Sequence, residues 1–157
     1  MDIWKSKKWE GYYKNHPCRN GLRLRYDKNI YPDVKQAIKD FAIWLRCEYV
    51  FPIRVPIYVK ASERIKTKDG DLVCGLFFRP FDRNTEPYIR ISTGDYPKLL
   101  KSRGKYNALF NILWTIAHEL SHYFQWVNNL ELSLKGEERQ ATYFANRIIK
   151  KYAERDN

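Results

Sequence analysis

The sequence predicts an α+β fold: a helix, three strands forming a small twisted sheet, then two further helices around one core. Three observations carry this. Val34, Ile38, Phe41, Ala42, Leu45 and Tyr49 recur at helical spacing, so one face of that segment is buried. Short β-rich stretches bounded by turn residues lie between positions 54 and 92. A long apolar segment from about Tyr106 to Val127 has Gly104 before it and Asn128-Asn129 after it, which suits a helix with defined ends. At 157 residues the chain is most simply one domain, long enough to bury a core without disulfides.

Residues 1–30 form a basic aromatic arm in this reading, with Trp4, Trp9, Tyr12 and Tyr13 among Lys5, Lys7, Lys8 and Lys14 and no clean period. The domain proper spans 31–157. Tyr31-Pro32-Asp33 opens its first helix, because proline is pre-set for the first turn and an acidic residue favours the helix N-terminus. Pro52 ends it. Arg54–Lys60 is the first strand, with Pro56 suited to an edge or an early position. After the turn Lys68-Asp69-Gly70-Asp71, Leu72–Arg79 reads as the second strand and Pro87–Ser92 as the third. Tyr96–Ser102 suits a short helix ahead of the long one. Gly136 introduces the last helix, which runs through Tyr152.

The net charge is +11. Residues 1–30 hold eight basic and three acidic side chains, a balance of +5, whereas 131–157 hold six and five, only +1. A solvated basic surface accounts for this most simply; an acidic or nucleic-acid partner on the arm is the alternative. No stretch approaches the roughly 20 apolar residues of a membrane span. Cys18, Cys47 and Cys74 follow no pairing pattern and read as reduced thiols, so a cytoplasmic location is expected.

Chemistry concentrates at His118-Glu119-Leu120-Ser121-His122, an HExxH pattern inside the apolar helix. Residues four apart share a helix face with Cβ atoms roughly 5–6 Å apart, so both imidazoles can reach one ion at about 2.0–2.1 Å. Glu119, one position on, is placed to act as general base on a metal-bound water. Two of the three histidines of the chain lie here. The plainer alternative is a core helix whose histidines only satisfy hydrogen bonds. No histidine follows His122, so the third protein ligand is expected among Glu131, Glu137, Glu138, Glu154 and Asp156. Glu137 and Glu138 open the final helix, and at about 100° per residue both flank its apolar face, Glu137 by about 40° and Glu138 by about 60°. Phase alone leaves the two open.

With Glu138-x-x-Ala141-x-x-Phe144-Ala145 following HExxH, the chain resembles the ImmA/IrrE-like zincins, small gluzincin metallopeptidases. The likeness covers about residues 113–149. It implies a minimal zincin-like domain, a Zn²⁺ cofactor held by His118, His122 and Glu138, and an intracellular protein or peptide substrate. Many members carry Asn or Asp after the ExxA alanine, where this chain has Thr142.

The expected activity is peptide-bond hydrolysis through zinc-activated water, with Glu119 as base. Tyr123, Tyr143 and Arg139 are the candidates to stabilise the oxyanion, Tyr143 being carried forward as the second catalytic residue. Substrate is expected to pair as an added strand on Tyr88, Ile89, Arg90 and Ile91. The competing readings are a basic nucleic-acid-binding module or a toxin-type hydrolase built on the same fold.

Overall fold

Helix α2 (Pro32–Glu48) and the long helix α3 (Tyr96–Val127) pack on a sheet, and α4 (Leu134–Ala153) closes against α3, in a computed structural model that describes residues 1–13 and 19–156. A single turn, α1 (Glu10–Tyr13), precedes strand β1 (Leu22–Tyr26). Strands β2 (Val55–Lys60), β3 (Ile65–Lys66), β4 (Leu72–Val73), β5 (Gly75–Phe78) and β6 (Tyr88–Ser92) lie between α2 and α3. Together the described residues form four helices, a mixed four-stranded sheet and a separate two-stranded hairpin, an α+β arrangement.

The four-stranded sheet has the order β1-β2-β6-β5. β1, β2 and β6 are mutually parallel, and β5 runs antiparallel to β6. Alternation along the strands decides which face is covered: Leu22, Val55, Ile57, Val59, Ile89 and Ile91 point inward and are buried. The helices sit on that side. Parallel pairing needs a crossover, and α2 supplies the one joining β1 to β2. Pro56 occupies an early position of the interior strand β2.

Three expectations change. The sheet has four strands, not three, because residues 1–30 contribute β1, whose Leu22-Arg23-Leu24-Arg25-Tyr26 pairs residue for residue with β2. The same segment sends Ile3 and Trp4 into the core, where the Trp4 indole donates to Ser121 Oγ at 3.0 Å. The expected strand Leu72–Arg79 divides at Cys74: β4 pairs with β3 across the turn, while β5 pairs with β6. The closing helix starts at Leu134, two residues before Gly136, since the Ser133 hydroxyl caps it by accepting from the Gly136 amide at 3.0 Å.

The short helix at Tyr96 and the long one after it form α3 with a break at Gly104, where φ is 80° and ψ 164°. That conformation suits glycine because a Cβ would be strained there. Cys47 and Cys74 are free thiols, while Lys14, His16 and Cys18 lie outside the described residues. No helix among the described residues is long and apolar enough to cross a membrane.

Candidate metal centre

His118 and His122 stand one turn apart on α3, facing α4, with ring centroids 5.0 Å apart and planes at 85°. Glu138 reaches over from the start of α4. Its Oε2 lies 3.1 Å from His118 Nε2 and its Oε1 2.9 Å from His122 Nε2. One donor atom from each of the three residues lies within 4.8 Å of the others. Three donors around one tetrahedral ion at about 2.0–2.1 Å need separations on the order of 3.3 Å, so the set fits a metal. Small Ala141 and Ala145, both fully buried, let the two helices approach.

Hydrogen bonding around His122 adds a stronger argument. Gln125 Nε2 donates to the Glu137 carbonyl at 2.9 Å and to Gln140 Oε1 at 3.0 Å, so its Oε1 turns toward His122. That oxygen lies 2.8 Å from His122 Nδ1, which must therefore carry the proton. Nε2 of the neutral ring then presents a lone pair to a carboxylate oxygen 2.9 Å away. Two acceptors at that range repel. Either a second proton on the ring or a shared metal ion relieves the conflict. His118 stacks on Trp114, with centroids 5.0 Å apart, and burial lowers its pKa, with the His122 charge adding to the effect. It is thus biased toward the neutral form a metal requires.

Glu119 is buried at 7% exposure, and burial, reinforced by the Glu138 charge, pushes its pKa up to about 8. A bound dication would pull it down again. Its neighbour is Gly75 of β5. A Cβ on that glycine would come within 3.2 Å of Glu119 Cγ and 2.7 Å of Thr115 Cγ2. The missing side chain is what lets the edge strand run against the motif helix. Between them opens a cleft of about 580 Å³, lined by Gly75, Leu76, Arg79, the two histidines and Glu138 among others.

Glu137 is not one of the three converging donors. Its side chain is nearly buried and pairs with Arg79 at 2.9 Å, while its carbonyl holds Gln125. It lines the cleft from the packed side of α4, whereas Glu138, exposed at the rim, reaches both histidines. Tyr143 is 57% exposed and outside the cleft lining, because five residues beyond Glu138 the helix has turned about 140° away. Tyr123 is fully buried with its hydroxyl bonded to the backbone of Ile53, and Arg139 is exposed away from the cleft. Thr142 is likewise exposed; Gln125 supports His122 instead.

The expectation that substrate pairs on Tyr88, Ile89, Arg90 and Ile91 also fails. β6 is flanked by β2 and β5, so its backbone groups are already paired, and Ile89 and Ile91 are fully buried. The free edge beside the cleft belongs to β5. Gly75, Arg79 and Gln125 are the residues sequence reasoning missed. An isolated glycine in a strand is a recognisable sign of close approach, and Gln125 is three positions past His122 on one helix face. Comparison of the chain with protein-family models, curated proteins and solved structures finds no match.

Proposed function

We propose that this chain is a zinc-dependent metallopeptidase with a minimal zincin-like architecture, acting on an intracellular protein. The observation that carries the reading is the convergence of His118 Nε2, His122 Nε2 and both Glu138 oxygens, with the carboxyl of Glu119 one residue along the same helix. A purely structural site would have no use for that fourth group.

His118, His122 and Glu138 are the residues that would hold the ion. Zinc bound there would supply an activated water and a positive charge facing the scissile carbonyl. Glu119 takes the proton of the attacking water and returns it to the leaving amine. The free edge of β5 aligns an extended substrate through main-chain hydrogen bonds, and Gly75 keeps that edge close to Glu119. Arg79, the cation of the cleft wall, takes the place of Tyr143 as donor to the developing oxyanion.

Elemental analysis of the purified protein, followed by exposure of wild type and Glu119→Gln to a degenerate peptide library, tests this. One zinc per chain in both and cleavage by the wild type alone is the expected result. A protein that binds no added zinc, or a variant that cleaves as well as wild type, overturns it.

A further inference from the structure

We infer that the helix-free face of the four-stranded sheet binds single-stranded nucleic acid, with bases on its rings and phosphates on its arginines.

Three strands place aromatic side chains side by side on this face. Tyr88 of β6 stacks on Phe78 of β5, with centroids 4.8 Å apart and planes at 19°, and the two are direct cross-strand partners. Tyr58 of β2 meets Tyr88 edge-on at 6.0 Å. The guanidinium of Arg90 lies 4.9 Å from the Tyr88 centroid and extends the stack. Tyr58 and Arg90 are exposed, while the alternate residues Ile57, Ile89 and Ile91 are buried beneath the helices.

Cross-strand ring pairs by themselves serve to stabilise a sheet. They do not account for the charge beside them. The four strands, Leu22–Tyr26, Val55–Lys60, Gly75–Phe78 and Tyr88–Ser92, contain Arg23, Arg25, Lys60 and Arg90 and no acidic residue. Lys60 is committed to Asp27 at 3.2 Å, but Arg23 and Arg25 are exposed on the strand beside Tyr58, with Tyr58 the register partner of Arg25. Cations alone would suit any polyanion, including an acidic protein. Cations flanking a row of rings suit unpaired bases, since rings and guanidinium planes stack on any base while arginines neutralise the phosphates. At about 4.8 Å between strands the face is wide enough for two or three bases. A duplex keeps its bases stacked and cannot use the rings. Among the described residues of the N-terminal arm, Trp4 and Tyr13 are buried and Trp9 is partly buried, which leaves Tyr12 as its one exposed ring.

Fluorescence anisotropy with labelled oligothymidine and oligouridine of about 12 nucleotides tests the inference. At low salt the full chain should bind at least one of them, with a log–log salt slope of about −2, from three arginines at about −0.7 each. Arg23→Gln with Arg25→Gln, at exposed positions that leave the core intact, should bring the slope to about −0.7. Tyr58→Ala should weaken binding at least about fivefold, while Tyr58→Phe, which keeps the ring, should not. Four outcomes overturn the proposal: no binding at low salt, equal affinity for a duplex of the same length, equal affinity for polyglutamate, or indifference to Tyr58→Ala. None depends on zinc, so failure here leaves the metal centre untouched.

Discussion

Oε1 of Gln125 lies 2.8 Å from Nδ1 of His122, and the same amide is anchored through its nitrogen to α4 at the Glu137 carbonyl and Gln140. The contact fixes the tautomer of one histidine of the candidate metal site and ties it to the helix that supplies Glu138. Gln125→Leu should therefore weaken zinc binding about 10–100-fold while the protein stays folded. Chelator competition gives the affinity, and ¹⁵N chemical shifts of His122 in metal-free protein give the tautomer. A variant that keeps both the Nδ1–H form and the wild-type affinity would assign Gln125 a packing role only.

Glu137 and Glu138 separate cleanly. Glu138→Ala should weaken zinc binding by more than the roughly 100-fold expected of a supporting residue. Glu137→Ala breaks an ion pair whose partner Arg79 is 43% exposed, so it should cost about 1 kcal/mol of stability or less and leave the zinc affinity close to wild type. Paired zinc titrations and thermal melts read both numbers. A damaging Glu137→Ala with a silent Glu138→Ala would move the third ligand by one residue.

These two glutamates also mark where sequence reading stops. The helices α2 and α3 were legible because one-sided burial imprints a 3.6-residue period, and HExxH was legible because its chemistry is local to one helix face. Helical phase placed Glu137 nearer the apolar face, correctly, but that is the packed side; the carboxylate that meets both histidines is Glu138 at the rim. Strand order is non-local in the same way. Tyr88–Ser92 shows the pattern of a strand, yet its interior position depends on β2 and β5, which are distant in sequence. Leu22–Tyr26 does alternate apolar and cationic residues, and the surrounding aromatic and basic side chains obscured it.

Glu119 makes the metal-free protein sensitive to pH. Its pKa rises from the unfolded value near 4.5 to about 8 in the fold, first from burial and then from Glu138. A raised carboxyl binds its proton more tightly when folded, so its stabilising contribution is complete below about pH 4.5 and is lost as pH climbs through about 8. The loss is on the order of 5 kcal/mol. Denaturant melts of zinc-stripped protein should show Glu119→Gln gaining on wild type across that window. His118, shifted the other way, is common to both proteins and largely cancels. Parallel curves for the two would mean that Glu119 titrates normally.

Gly75 supplies the last test, because it sets the edge strand against Glu119, while none of its nearest contacts is His118, His122 or Glu138. A methyl group there would lie 2.7 Å from Thr115 Cγ2 and 3.2 Å from Glu119 Cγ. Thr115 yields poorly, being β-branched and bonded through its hydroxyl to the Asn111 carbonyl at 3.3 Å. Gly75→Ala must therefore push β5 outward, at a cost of about 1–3 kcal/mol for overpacking. Hydrolysis should fall well beyond any change in zinc affinity, since the histidines and Glu138 stay in place while the substrate edge retreats. Adding Thr115→Ser removes the methyl group that clashes first and should restore part of both stability and turnover. A double-mutant cycle on the two positions measures that coupling. Additive effects would show that the strand accommodates the methyl without moving, and that the closeness of β5 to Glu119 is not what aligns the substrate.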